Sequence, residues 1–273
     1  MPDPGARPPL TPEAVLLTDR VAVVTGAAAG IGRAVALALA RFGAHLAVCD
    51  RDGEGLHSLR DEIEDLGRRA VIGVLDVRDL TQVQPFLADV AGAFGDLDVL
   101  VNNAGGGFFA GFLDVSEKGQ DALVRENFTS VTHFVRGCVP LMPATGGSIV
   151  TITSIEAHRA APGFAVYSAM KAALANLTQT LALELGDRRI RVNCIAPDVI
   201  PTPGIGVDLP VKTPLPYAGH VDDVAAATVF LAGDCARFVT GTTIHVDGGT
   251  RAAGGWYPTE HGSRRWTNRP RDP

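Results

Sequence analysis

The chain has 273 residues, 46% hydrophobic, 6% aromatic and 20% charged, which is enough for one large core or two small ones. Its formal net charge of −6 offers no electrostatic basis for binding nucleic acid or an anionic membrane surface. The four cysteines, Cys49, Cys138, Cys194 and Cys235, are widely spaced and the seven histidines form no ligand pattern, so free thiols, a reducing compartment and no metal site are expected.

Residues 1–18 are rich in proline without apolar periodicity and read as a mobile arm. The apolar stretch from Val21 to Ala40 is broken by Gly26, Gly30, Gly32 and Arg33, so it is read as neither a signal peptide nor a membrane span, and cytoplasmic residence follows by elimination. VAVVT predicts a first strand, a glycine turn follows, and RAVALALARF predicts a helix. HLAVCD predicts a second strand, Glu54–Leu66 a charged helix, and AVIGVLD a third strand ending at Asp76. A helix over Leu80–Phe94 leads to a fourth strand, LDVLVNN. One helix over Glu117–Cys138 leads to a fifth, GSIVTITS. A long helix from Tyr167, a sixth strand IRVNCIA, a helix VDDVAAATVFLAG and a seventh strand TTIHV complete the alternation.

This alternation predicts an α/β fold: a doubly wound, parallel seven-stranded sheet with helices on both faces, in a single domain over residues 19–250. The near-continuous apolar strands fit burial on both sides. Residues 251–273 form a separate tail, and Trp256, Tyr257 and Trp266 in it predict packing on its own domain or on a neighbouring subunit.

TGAAAGIG, Thr25 to Gly32, directly follows the first strand and opens the first helix. A glycine turn there lets backbone N–H groups approach a pyrophosphate, with the helix N-terminus adding favourable partial charge. Gly26 permits the tight turn, Gly30 close approach and Gly32 close packing. Asp50 ends the second strand, where an acid accepts from a ribose 2′-hydroxyl and repels a 2′-phosphate. No basic residue lies in Ala27–Ala29, so the cofactor is read as NAD rather than NADP; Arg51 is the opposing feature and Asp52 partly offsets it.

Tyr167 and Lys171 lie four residues apart on the long helix, hence on one face. A lysine beside a tyrosine favours the phenolate, giving a proton-transfer group. Only Lys118, Lys171 and Lys212 are lysines, which sets Lys171 apart from surface decoration. Ser154, at the end of the fifth strand, reads either as a turn or cap residue or as a site group.

In this order the motifs resemble the short-chain dehydrogenase/reductase family over roughly Asp19 to Thr250. TGAAAGIG is similar to its cofactor turn, NNAG at Asn102–Gly105 to its fourth-strand motif, and VDGG at Val246–Gly249 to its C-terminal sheet ending. Asn127, Ser154, Tyr167 and Lys171 match its catalytic tetrad in type and order. The resemblance implies that Tyr167 is the general base in alcohol oxidation and the acid in ketone reduction. Lys171 would lower the Tyr167 pKa and hold the nicotinamide ribose, Ser154 would orient the substrate oxygen, and Asn127 would hold a water linking Lys171 to solvent. It implies cofactor contacts by Gly26, Ala29, Gly30, Ile31 and Gly32, by Asp50 and Arg51, and by Asp76 and Val77. It further implies contacts by Asn103, Ala104 and Gly105, by Tyr167 and Lys171, and by Pro197, Ile200 and Thr202. Asp198 replaces a family glycine, so either the loop path differs or Asp198 adds a polar group near the substrate.

Gly106, Gly107, Phe108, Phe109 and Phe164 are candidates to line an apolar substrate pocket, with the core as the alternative for Phe108 and Phe109. The five prolines between Val199 and Gly219 suggest a stiff cover. Glu156 and His158 are candidates for contacting a polar substrate group. The expected activity is hydride transfer between NAD(H) and a secondary alcohol or ketone, apolar or cyclic, with a small-molecule substrate. The resemblance also implies a homo-oligomer, dimer or tetramer, paired through the helices carrying Asn127 and Tyr167. Two other classes stay open: a 3-oxoacyl thioester reductase using NADPH, disfavoured by Asp50, and a non-catalytic nucleotide-binding protein, which has no need of an intact tetrad.

Overall fold

The computed structural model describes residues 9–206, 213–258 and 266–267. The strands are β1 (Val21–Thr25), β2 (His45–Asp50), β3 (Ala70–Val74), β4 (Val99–Asn102), β5 (Gly147–Ile152), β6 (Ile190–Pro197) and β7 (Thr243–Val246). They form one all-parallel seven-stranded sheet in the order β3-β2-β1-β4-β5-β6-β7. Between them run α1 (Gly30–Arg41), α2 (Gly53–Asp65), α3 (Leu80–Phe94), α4 (Glu117–Val124), α5 (Ser130–Cys138), α6 (Ala165–Glu184) and α7 (Val221–Ala232).

The two-residue period of a strand divides the core into two layers. Ala22 and Val24 of β1 join the cluster built with Val35, Leu39, Leu59 and Val229, which covers one face with α1, α2 and α7. Val21 and Val23 join the cluster with Val83, Phe86, Phe134 and Leu174, which covers the other face with α3, α5 and α6. Winding reverses between β1 and β4, so the loops at their C-terminal ends diverge and open a crevice there.

Four expectations are corrected in detail. The third strand stops at Val74, which leaves Asp76 in the following turn, where its backbone N–H donates to Gln82 Oε1 at 3.0 Å. The fifth stops at Ile152, so Ser154 caps a short 3-10 turn, Ile155–Ala157. The helix over Glu117–Cys138 is interrupted by a π-helical turn at Arg125–Thr129. The arm read over residues 1–18 is docked at its end: Leu17 is fully buried and its N–H donates to Phe42 O at 2.7 Å, while residues 1–8 lie outside the described part.

In the tail, a short helix α8 (Thr250–Ala253) precedes β8 (Tyr257–Pro258), which pairs antiparallel with β9 (Trp266–Thr267). Trp256 remains 48% exposed in the single chain. No helix among the described residues is long and apolar enough to cross a membrane.

Candidate active site

A cavity of about 630 Å³ occupies the crevice at the winding reversal. At one end is the glycine turn. Gly26 has φ +66°, a conformation side chains resist, and an added Cβ would lie 2.8 Å from Ala104 Cα. At Gly32 an added Cβ would overlap the Gly26 carbonyl oxygen and lie 2.5 Å from Asn103 Nδ2. Asn103 Nδ2 donates to Thr25 O (3.0 Å) and Gly26 O (2.9 Å), tying the end of β4 to the turn after β1. Backbone therefore lies bare toward the N-terminus of α1, the arrangement a pyrophosphate needs. Asp50 is held by backbone: Oδ2 accepts from Ala28 N (3.1 Å) and Oδ1 from Arg51 N (2.7 Å). These groups fit a dinucleotide.

Of the expected cofactor residues, Gly26, Ala29, Gly30, Ile31, Asp50, Arg51, Asp76, Val77, Asn103, Ala104, Gly105, Tyr167, Lys171, Pro197, Ile200 and Thr202 all border this cavity. Gly32 does not; its part is packing behind the turn. Arg78 also borders it, and its guanidinium is committed to Asp76, Nη2 to Oδ2 at 2.6 Å. That pair holds the Asp76 carboxyl below its usual pKa. Arg78 carried no motif by which the sequence could mark it.

The other end holds Ser154, Tyr167 and Lys171. The first turn of α6 places Tyr167 beside the end of β5, where it borders the cavity together with Ser154. Ser154 Oγ accepts from Glu156 N at 3.1 Å, so it is both cap and site group. Lys171 is 4% exposed, and its Nζ donates to Ile152 O at 3.1 Å, 5.6 Å from the centre of the Tyr167 ring. Asn127 sits in the π turn. Its Nδ2 donates to Gly106 O (2.8 Å) and Leu123 O (3.0 Å), and its Oδ1 accepts from Gly106 N (3.2 Å). Both amide hydrogens are used, and the oxygen retains one acceptor site. Asn127 Oδ1 and Lys171 Nζ converge on Gly105, lying 2.8 and 3.0 Å from where its Cβ would be.

Burial pushes the Tyr167 pKa up, against a smaller downward pull from Ser154. The Lys171 ammonium is turned to a carbonyl, and burial draws its own pKa down to about 8. The unfolded chain, with its lysine near 10.5, binds that proton more tightly than the folded protein. Lys171 therefore costs stability below pH 8, and the cost fades as pH rises toward 10.5. Urea unfolding should show wild type gaining about 1 kcal/mol on Lys171→Met between pH 7 and pH 9. A constant difference would contradict a buried, depressed lysine.

On the substrate side, Gly106, Gly107 and Phe164 border the cavity as expected, together with Ile155, Val199 and Ile205. Phe108 and Phe109 are neither lining nor core. Phe109 is 76% exposed, its ring edge-on to Phe164 at 5.7 Å, and Phe164 is edge-on to Tyr167 at 6.3 Å. Glu156 borders the cavity; His158 does not, and its ring packs on His245 at 4.6 Å. Asp198 keeps an ordinary backbone, since among the described non-glycine residues only Asp19 and Arg189 have positive φ. Pro210, among the prolines expected to stiffen the cover, lies outside the described residues.

A glycine cradle and a Ser–Tyr–Lys cluster at opposite ends of one cavity define a nicotinamide-dependent oxidoreductase. Comparisons agree. A family profile described as enoyl-(acyl carrier protein) reductase matches residues 26–251. Cyclohexanol dehydrogenase of Rhodococcus sp. (strain TK6) is 38% identical over 263 residues, covering 85% of this chain and 96% of the relative. A 3-oxoacyl-(acyl-carrier-protein) reductase of Thermotoga maritima is 38% identical over 242 residues, covering 85% and 98%. Among solved structures, 7α-hydroxysteroid dehydrogenase with NADH and 7-oxo glycochenodeoxycholic acid superposes with a TM-score of 0.84 at 31% identity, covering 88% of this chain and 97% of that one. The chain belongs to the short-chain dehydrogenase/reductase family.

Proposed function

We propose that this oxidoreductase transfers hydride between NAD(H) and a secondary alcohol or ketone that is apolar or cyclic, with Tyr167 as general acid and base. The observation that carries this reading is the half-buried Tyr167, one helical turn from Lys171 and bordering, with Ser154, the cavity that also holds the glycine turn. The nicotinamide ring supplies a hydride acceptor or donor when bound. This chain's residues do the rest. Ser154 orients the substrate oxygen, Tyr167 takes or gives its proton, Lys171 and Asn127 hold the polar floor, and Phe164, Val199 and Ile205 exclude water. A cyclic-alcohol dehydrogenase among the relatives supports the substrate class. A second reading, reduction of a 3-oxoacyl thioester, is favoured by the Thermotoga relative. The test is absorbance of NADH formed from NAD with secondary alcohols and 3-hydroxyacyl thioesters side by side; turnover of the thioesters alone would replace the first reading with the second.

NAD is proposed over NADP because the Asp50 carboxylate is fixed by backbone at the cavity edge. A charge-assisted hydrogen bond is worth about 1.5–3 kcal/mol. Asp50→Ala should therefore lower the NAD-to-NADP ratio of kcat/KM by at least about tenfold. An unchanged ratio would remove Asp50 from selectivity. Residence in the cytoplasm and assembly as a dimer or tetramer through α4, α5 and α6 belong to the same reading. A single monomeric species in sedimentation at micromolar concentration would remove the assembly.

A further inference from the structure

Beside Glu126, which lies next to Gly106, two further carboxylates border the substrate side of the cavity, Glu156 from the loop after β5 and Asp198 from the end of β6. Both are largely withdrawn from water; the Asp198 side chain is only 11% exposed. One guanidinium outside the lining, that of Arg159, faces both. Its Nη2 lies 2.7 Å from Glu156 Oε1, its Nε 3.3 Å from Glu156 Oε2, and its Nη2 3.5 Å from Asp198 Oδ1.

This arrangement leaves carboxylate acceptor sites at the cavity wall that Arg159 does not fill. An ionised carboxylate offers about four acceptor sites and no donor. Arg159 occupies two of the sites on Glu156 and reaches Asp198 only at 3.5 Å. Within this cluster one guanidinium faces two carboxylates, which leaves that part of the wall with an excess negative charge. Desolvated acceptors of this kind favour a ligand that brings its own donors and oppose one that brings a carboxylate. The remaining walls, Ile155, Phe164, Val199 and Ile205, are apolar, so the donor must sit on an otherwise apolar body.

Resting on the hydride-transfer reading above, we infer that Glu156 and Asp198 form a second polar anchor, and that the preferred substrate is a cyclic alcohol carrying a second hydroxyl. One hydroxyl goes to Ser154 and Tyr167; the other donates to the Glu156–Asp198 pair. Arg159 is a positioning residue that holds both carboxylates at the cavity wall through its contacts with each. Asp198 can do this because its backbone is ordinary, so the side chain replacing the family glycine enters the site without strain.

The test measures binding without turnover. Protein loaded with NADH is titrated with cyclohexanol, with 1,2-, 1,3- and 1,4-cyclohexanediols and with 3-hydroxycyclohexanecarboxylate, following NADH fluorescence. At least one diol should bind about tenfold tighter than cyclohexanol, the gain from one hydrogen bond to a charged group, and the hydroxy acid should bind more weakly than cyclohexanol. Glu156→Gln and Asp198→Asn keep size but turn their amide oxygens to Arg159 and present N–H groups inward. In both, the diol-to-cyclohexanol ratio should fall toward one. A variant that does not fold declares itself by not binding NADH, and the wild-type ratios then decide alone. Equal binding of diols and cyclohexanol, or a diol preference that survives both substitutions, overturns this inference and leaves the dehydrogenase reading standing. Binding of NADH with no alcohol bound at all overturns the dehydrogenase reading and this inference with it.

Discussion

Replacing Tyr167 by phenylalanine should lower kcat for alcohol oxidation by about a thousandfold, the scale of a positioned acid–base group, while NADH still binds. The ring makes the packing contacts, edge-on to Phe164 at 6.3 Å, and phenylalanine keeps them. What is lost is the phenol hydroxyl at the cavity wall and the proton it carries. Burial holds the phenol above its ordinary pKa, so the group rests protonated near neutrality. It is then loaded as an acid for ketone reduction and must ionise before acting as a base. Oxidation by wild type should therefore rise with pH through the neutral and mildly alkaline range, and reduction should fall only where the phenol ionises. Parallel absorbance assays in both directions, with NADH fluorescence titration of the variant, check this. A variant retaining a tenth or more of wild-type kcat would mean that another group moves the proton.

Gly32→Ala should nearly abolish cofactor binding and lower the unfolding midpoint. The added methyl would overlap the Gly26 carbonyl oxygen and press on Asn103 Nδ2, the atom that holds Gly26 O at 2.9 Å. Neither neighbour is a flexible chain end. Relief requires moving the turn itself, the segment that borders the cavity at the N-terminus of α1. Overpacking of this kind costs about 1–3 kcal/mol in stability. Gly92→Ala is the internal contrast. Gly92 lies inside α3, with nothing within 4 Å of its would-be Cβ, so alanine there should stabilise by about 0.5–1 kcal/mol. Urea unfolding and NADH titration on both variants decide the point; a Gly32→Ala protein matching wild type in both would falsify the packing argument.

What the sequence made legible were features whose cause is local. VAVVT followed by a glycine turn and an apolar helix could be read because burial on both faces of β1 and the positive φ at Gly26 are written in consecutive residues. Tyr167 and Lys171 could be paired because helical spacing alone puts them together. Features depending on distant partners were not legible. Nothing near Asp198 indicates that Arg159, 39 positions earlier, reaches its carboxylate. Nothing near Leu17 indicates that it docks against the end of α1. Phe108 and Phe109 mislead in the opposite direction: aromatic identity suggests core or pocket, yet both are exposed and neither lines the cavity. Same-face spacing fixes the proximity of Tyr167 and Lys171 along the helix but not where the ammonium points, and here Ile152 O accepts from it.

The π turn at Arg125–Thr129 carries a consequence of a different kind. On its N-terminal side the chain must aim Asn127 at Gly106; on its C-terminal side it must aim Val131, Phe134 and Cys138 into the core. A residue added to a helix rotates every later side chain by about 100°, and the wide turn absorbs that rotation so that both directions are met at once. Length is therefore as strict a requirement here as composition. Substitutions along α4 and α5 can be accommodated one at a time, but loss or gain of a single residue would set the tetrad asparagine and the hydrophobic core against each other. In homologous chains this helix should vary freely in identity while insertions and deletions collect in the loops on either side of it.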